Sequence, residues 1–377
     1  MSEIRMVDLV TQYHKIKEEV DQAVINVVES SAYINGPEVK SFQAELEQYL
    51  NVKHVIPCAN GTDALQIAMM AGCLKPGDEV ITATFTYVAT AEVIALLGLV
   101  PVLVDVDEHT FQINPEAIRE AITDKTRAIV PVHLFGQCAP MEEIMAIAKE
   151  HNLMVFEDTA QAIGAEYTFS DGSVHRAGTI GNMGATSFFP SKNLGCMGDG
   201  GALFTNDDDL AHRARMVANH GQSKQYYHDS IGVNSRLDSI QAAILRIKLR
   251  HLNQYNAARQ SAASYYDAAF ANIPELLTPS RAAHSTHVFH QYTLRLTNGK
   301  RDELVAFLKE RNIPAMIYYP VPLHQQKAYI DPRYEADHFP VTNMLCEQVF
   351  SLPMHTELTE EQLERITLAV ADFVKKG

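Results

Sequence analysis

The sequence predicts an α/β layered fold with a mainly parallel sheet, and two features of its hydrophobic pattern carry that expectation. Short β-branched runs recur along the first half of the chain, and the stretches between them hold apolar residues at helical spacing. Strands that alternate with helices pair in parallel through crossovers, which lay the helices on the faces of the sheet. From about residue 12 to 31, Ile16, Val20, Ala23, Val24 and Val27 fall on one helical face. Asn35-Gly36-Pro37 interrupts that pattern, and Pro37 suits the first turn of a helix running through about Leu50. Val55-Ile56-Pro57 is strand-like. Buried strands follow at 80–82, 102–104, 128–130 and 154–156, with helices at 64–71, 89–97, 115–122 and 141–150.

After Gly184 the rhythm changes. Residues 185–189 and 202–205 read as strands joined by a Gly-rich segment too short for a crossover helix. A long helix from Ser235 to about Phe270 comes next and spans the expected boundary between a large unit, 1–245, and a smaller α/β unit, 246–377. The smaller unit shows a strand near 291–296, a helix over 302–311, a strand over 313–317 and helices near the end.

A chain of 377 residues, 46% hydrophobic and 20% charged, can bury a core of this size. Its net charge of −15 argues against a nucleic-acid face or an anionic membrane surface, since either needs clustered Lys and Arg. A small anionic ligand needs only local amides and one or two bases. The five cysteines are scattered without a Cys-x-x-Cys pair, which points away from a disulfide framework or a zinc ribbon. The first residues lack the apolar core of a signal peptide, and no apolar run approaches membrane-spanning length, so the cytoplasm is the expected location.

The chemistry concentrates in two stretches. Asp158 directly follows the run Leu153-Met154-Val155-Phe156, where a carboxylate at the end of a parallel strand faces a ligand crevice. Lys192 follows Ser187-Phe188-Phe189-Pro190-Ser191 and is closed by Gly195 and Gly198-Asp199-Gly200-Gly201, whose glycines allow tight turns around a bound group. A Lys that forms a Schiff base, an acid that keeps a pyridine nitrogen protonated and small polar groups that grip a phosphate are what a pyridoxal phosphate enzyme needs. Taken singly, Lys192 reads as a solvated loop residue and Asp158 as a helix N-cap; together they read as a cofactor site. Asn60-Gly61-Thr62-Asp63 opens a helix after a strand and becomes the expected phosphate cup. Gln161 falls beside the ring hydroxyl, and Tyr87 is favoured over Phe85 as the ring's stacking partner. His284, His287 and His290 are regularly spaced but lack an acidic ligand among them, and no metal site is expected.

Five ordered motifs then carry a resemblance over nearly the full length: Asn60 to Leu65, Thr86 to Thr90, Glu157 to Gln161, Ser187 to Lys192 and Gly232 to Asp238. The chain resembles the DegT/DnrJ/EryC1/StrS sugar aminotransferases. The resemblance implies fold type I of the pyridoxal phosphate enzymes, with a seven-stranded sheet and a homodimer whose active sites are shared at the interface. It implies Lys192 as the Schiff-base lysine, Asp158 as partner of the pyridine nitrogen, Gln161 near the ring oxygen and Tyr87 on the ring. Gly61, Thr62 and Ser187 hold the phosphate, Asn234 matches the residue supplied by the second subunit, and Arg236, Tyr318, Tyr319 and His324 are candidates for substrate. The implied reaction is ping-pong transfer of the amino group of L-glutamate, released as 2-oxoglutarate, to a keto carbon of a nucleotide-linked sugar in bacterial surface polysaccharide synthesis. Within the family the chain is most similar to enzymes that aminate C3 of nucleotide-linked 3-keto sugars, including UDP-linked 3-keto-N-acetylglucosaminuronic acid. It departs from those at Tyr318, where a His is expected, and at 168–177, a polar insertion. Two alternatives stand: a sugar dehydratase or lyase, whose family representatives place His where Lys192 stands, and a catalytically silent binding protein on the same scaffold.

Overall fold

The computed structural model describes residues 3–376. Three helices open the chain: α1 (Leu9–Lys15), α2 (Lys17–Ser30) and α3 (Pro37–Leu50). The helix expected over 12–31 is therefore two helices. Ile16 leaves helical geometry at φ −121° and buries its side chain in a cluster with Val20, Ile244 and Ile247.

The alternating region comprises β1 (His54–Cys58), α4 (Gly61–Ala71), β2 (Glu79–Ala83), α5 (Ala89–Leu96), β3 (Val100–Val104), α6 (Pro115–Ala121), β4 (Thr126–Val130), α7 (Met141–His151) and β5 (Met154–Asp158). A hairpin, β6 (Glu166–Thr168) and β7 (Val174–Arg176), accounts for most of the polar insertion. After it come β8 (Met183–Ser187), β9 (Gly201–Thr205), α8 (Asp208–Ala218), the short hairpin β10 (Gln222–Lys224) and β11 (Tyr227–His228), and the 32-residue helix α9 (Ser239–Phe270). The remainder is β12 (Leu276–Leu277), β13 (Tyr292–Leu296), α10 (Arg301–Glu310), α11 (Pro340–Gln348), β14 (Val349–Leu352) and α12 (Glu360–Lys376).

Seven strands form one sheet in the order β1-β9-β8-β5-β4-β2-β3, parallel throughout except for β9, which runs antiparallel to both neighbours. The mainly parallel seven-stranded sheet is thus as expected. Alternate residues of each central strand feed opposite faces. Ile81, Ile129 and Val155 pack with Met141, Ile144 and Ile147 on one side, whereas Val80, Ala128, Val130 and Phe156 pack with Leu65, Ala68 and Ala214 on the other. A separate core joins Tyr266 and Phe270 of α9 to Tyr292, Leu294, Leu304, Phe350, Leu352 and Ile366.

Three boundaries differ from expectation. The strand placed at 185–189 is 183–187, because the ladder ends where Ser187 faces Gly201. The long helix starts at Ser239 because Ser235 is held outside it, its N–H donating to Ala218 O and its Oγ accepting from Ala59 N–H. Residues 313–317 form no strand. Met316 makes only an isolated bridge to Ser351, and the third strand of the small antiparallel sheet is β14.

The layout places the carboxyl ends of β2, β4, β5 and β8 along one edge of the sheet. The 188–200 segment returns from β8 to β9 at that same edge, where ligand crevices of open α/β sheets lie.

Candidate active site

Asp158 ends β5 and is 7% exposed. Both carboxylate oxygens already have donors: Oδ2 accepts from Thr90 Oγ1 at 2.8 Å and Oδ1 from Ala160 N–H at 3.0 Å. Gln161, one turn on, is equally fixed. Its Oε1 accepts from Phe135 N–H at 2.7 Å, so its Nε2 must point the other way, and it donates to the Tyr319 hydroxyl at 3.2 Å. Burial pushes the Tyr319 phenol above its ordinary range and keeps it protonated, although the Gln161 hydrogen bond opposes that shift.

Lys192 lies in a tightly folded return. Its N–H donates to Phe189 O at 2.8 Å, and Cys196 N–H donates to Phe188 O at 2.8 Å. Gly195 is required there, since a Cβ would sit 2.3 Å from Pro190 O. Asn193 anchors the return to the far half of the chain, Nδ2 donating to Asn256 Oδ1 at 2.8 Å and to Val288 O at 2.9 Å. Desolvation lowers the Lys192 ammonium to about 8, partly offset by the Asp158 carboxylate, which favours the charged form. A Lys in this condition is a nucleophile near neutral pH.

The start of α4 meets the same edge. Asn60 caps the helix, its Oδ1 accepting from Asp63 N–H at 2.8 Å. The amides of Gly61 and Thr62 have no protein acceptor among the described residues. A Cβ on Gly61 would lie 2.6 Å from the Ser187 Cβ, so the helix start and the end of β8 approach as closely as glycine permits. The Ser187 Oγ accepts from Phe189 N–H at 3.2 Å, leaving its own hydrogen to donate. Two free amides at a helix start and one hydroxyl suit a phosphate. With a depressed Lys and a buried acid on the same sheet edge, the donor set fits pyridoxal phosphate.

Tyr87 precedes α5 and is 59% exposed, its ring 6.3 Å from that of Tyr319. Tyr318 and Tyr319 are joined by a cis peptide bond, with ring centroids 6.0 Å apart. His324 sits differently from its neighbours. It is 4% exposed, its Nδ1 lies 3.1 Å from Thr84 Oγ1 and its Nε2 3.2 Å from Ala336 O, so both ring nitrogens are engaged by the protein. Asn234 and Arg236 make no hydrogen bond or ion pair to the Lys192–Asp158 cluster. Asn234 is exposed and bridges to Asn219, and Arg236 lines a groove of about 270 Å³ with Asn35, Lys40 and Arg215.

Two features were not legible in the sequence. Thr90 is one. The other is a pair behind Asp158: Glu157 and His133, both fully buried, with His133 Nε2 2.9 Å from Glu157 Oε2. His133 Nδ1 accepts from Ala139 N–H, so Nε2 carries the hydrogen and donates. Glu157 also accepts from the amides of Gly178, Ile180 and Gly181 at 2.9, 2.7 and 2.6 Å, which fastens the approach to β8 onto β5. Alternation along β5 was the available clue, since it turns Glu157 to the face opposite Asp158.

The model of the DegT/DnrJ/EryC1/StrS aminotransferase family matches residues 14–371. The chain is 45% identical to a "pleiotropic regulatory protein" of Geobacillus stearothermophilus, over 99% of each sequence. It is 44% identical to the UDP-2-acetamido-2-deoxy-3-oxo-D-glucuronate aminotransferase of Pseudomonas aeruginosa, over 98% of this chain and all of that one. The crystal structure of S. venezuelae DesV in complex with a ketimine intermediate superposes with a TM-score of 0.95 at 38% identity, covering 100% of this chain and 99% of that one. The chain belongs to the DegT/DnrJ/EryC1/StrS aminotransferase family.

Proposed function

We propose that the protein is a pyridoxal phosphate-dependent aminotransferase that moves the amino group of L-glutamate to a keto carbon, C3, of a nucleotide-linked sugar. The observation that carries this reading is the placement of the Lys192 return beside the buried Asp158 carboxylate at the carboxyl edge of the sheet, where desolvation lowers the Lys192 ammonium to about 8. Relatives at 44% and 42% identity are named for amination of UDP-linked 3-oxo or 3-dehydro sugars, which supports the acceptor class.

The bound cofactor supplies an electron sink that acidifies the hydrogen on the amino-bearing carbon. Lys192 would anchor it and, as the neutral amine, would take up and return that proton. Asp158 holds the proton on the pyridine nitrogen. The Gly61 and Thr62 amides and the Ser187 hydroxyl take the phosphate, and Tyr87 covers the ring face. Gln161, its amide orientation set by Phe135, offers Nε2 to the ring oxygen. Tyr319 and Tyr318 border the acceptor space, and His324 supports that wall through Thr84.

A homodimer completes the site in this reading. Asn234 and Arg236 stand away from the cluster of their own chain, where a partner's site would receive them. Exposed Tyr33, Ile34, Phe189, Met197, Tyr226 and Ile231 would be covered by a second copy. We place the functional division at 245/246, within α9. No helix among the described residues is long and apolar enough to cross a membrane, and we place the reaction in the cytoplasm.

The relative named as a regulatory protein favours a second reading, a binding protein without turnover. One experiment separates the two. Cofactor-loaded protein is mixed with L-glutamate and then with a panel of nucleotide 3-keto and 4-keto sugars. Bleaching of the visible band by glutamate and its recovery with one sugar supports the aminotransferase; a band unaffected by glutamate rejects it.

A further inference from the structure

Thr90 is 1% exposed and sits in the first turn of α5, whose other buried residues are Ala89, Ala91, Val93 and Ile94. A helical Thr ordinarily satisfies its hydroxyl on a carbonyl one turn back. Here the hydroxyl leaves its own helix and donates to Asp158 Oδ2, 68 residues further along the chain, at 2.8 Å. With Ala160 N–H on Oδ1, that bond stops the carboxylate from rotating. The same bond ties down the start of α5, which has no side-chain cap at Val88 and directly follows Tyr87.

We infer that Thr90 is a positioning residue for the transamination site: its hydroxyl sets the orientation of the Asp158 carboxylate and holds the Tyr87 turn over the ring that Asp158 serves. The inference rests on the cofactor reading above. A donor on a carboxylate stabilises its charged form, and a charged Asp158 held in place would keep the proton on the pyridine nitrogen of a bound cofactor. Loss of the donor would weaken that hold. A ring held less firmly in its protonated form would draw fewer electrons from the Lys192 nitrogen, and the pH midpoint of the visible band would rise.

The test compares wild type, Thr90→Val and Thr90→Ser, each loaded with pyridoxal phosphate. Val keeps the branched shape and removes the donor; Ser keeps the donor. Expected for Val are a higher pH midpoint of the visible band and a glutamate half-reaction slowed about tenfold or more, the scale of one hydrogen bond to a charged group. Ser is expected to restore both to within about threefold of wild type. If Val does not fold, Thr90→Ala replaces it in the same comparison. A midpoint and rate unchanged in the donor-less variant overturn the role of Thr90 while leaving the cofactor reading intact. Equal changes in Val and Ser overturn it too, because they assign the effect to packing. Wild-type protein without a glutamate-sensitive band overturns both.

Discussion

Substituting Gly61 by Ala probes the phosphate cup through a single methyl group. The added Cβ would lie 2.6 Å from the Ser187 Cβ and 3.1 Å from its Cα. Carbon atoms pack at about 3.5–4.0 Å, so the start of α4 and the end of β8 must separate by about 1 Å. Neither side yields readily: Ser187 is locked opposite Gly201 in the ladder, and Asn60 is tied through Asp63. Overpacking of this kind costs about 1–3 kcal/mol, more than the gain of up to about 1 kcal/mol from replacing Gly in a helix. A 1 Å displacement also carries the Gly61 and Thr62 amides beyond hydrogen-bond range of a bound phosphate. One such charge-assisted bond is worth about 1.5–3 kcal/mol, or roughly 10- to 100-fold in affinity. Titration of the cofactor-free variant with pyridoxal phosphate, followed by absorbance, should show that loss together with a lower melting temperature. Affinity within twofold of wild type at an unchanged melting temperature would show that the helix start does not hold the phosphate.

Three further outcomes follow from the geometry. Because desolvation lowers half-buried Lys192 to about 8, its neutral form grows as pH rises through that value; capture of the cofactor by cofactor-free protein should accelerate with a midpoint near pH 8, and one near the ordinary Lys value of about 10.4 would contradict that desolvation. Glu157→Gln places an NH₂ against amide donors or the His133 N–H, and should cost about 2 kcal/mol or more in urea unfolding, with wild-type stability counting against the four-donor cradle. Tyr319→Phe removes the acceptor of Gln161 Nε2 while Phe135 still pins the amide. Cofactor affinity should stay within about threefold and the sugar half-reaction slow by about two- to tenfold; the reverse pattern would make Tyr319 a cofactor residue.

Much of the architecture was legible because the first half of the chain states its period plainly. Val80, Ile81, Ile129 and Val155 sit in short apolar runs between helical stretches, and their burial on two sheet faces follows from alternation. Lys192 and Asp158 were legible for a local reason, since each stands at the end of an apolar run beside small polar residues. What sequence reading missed depends on long-range neighbours. Thr90 meets Asp158, and His133 meets Glu157, only because α5, β4 and β5 come together at one edge. The segment 313–317 has strand-like composition, yet the place beside β13 goes to β14, a four-residue strand directly behind α11 that its length concealed. His324 looked like a ligand-facing residue, but the pairing of both ring nitrogens with Thr84 and Ala336 cannot be read from composition.

The central claim is that the amino nitrogen of glutamate is passed to a sugar, with Lys192 moving the proton that each half of the transfer requires. The most direct measurement supplies ¹⁵N-labelled L-glutamate and UDP-linked 3-keto-N-acetylglucosaminuronic acid to the cofactor-loaded protein and follows the label by NMR. The expected result is ¹⁵N on C3 of the sugar with one 2-oxoglutarate released per amine transferred, and no transfer by Lys192→Ala. Label remaining in glutamate while the sugar is dehydrated, or transfer that survives the loss of Lys192, would contradict the account.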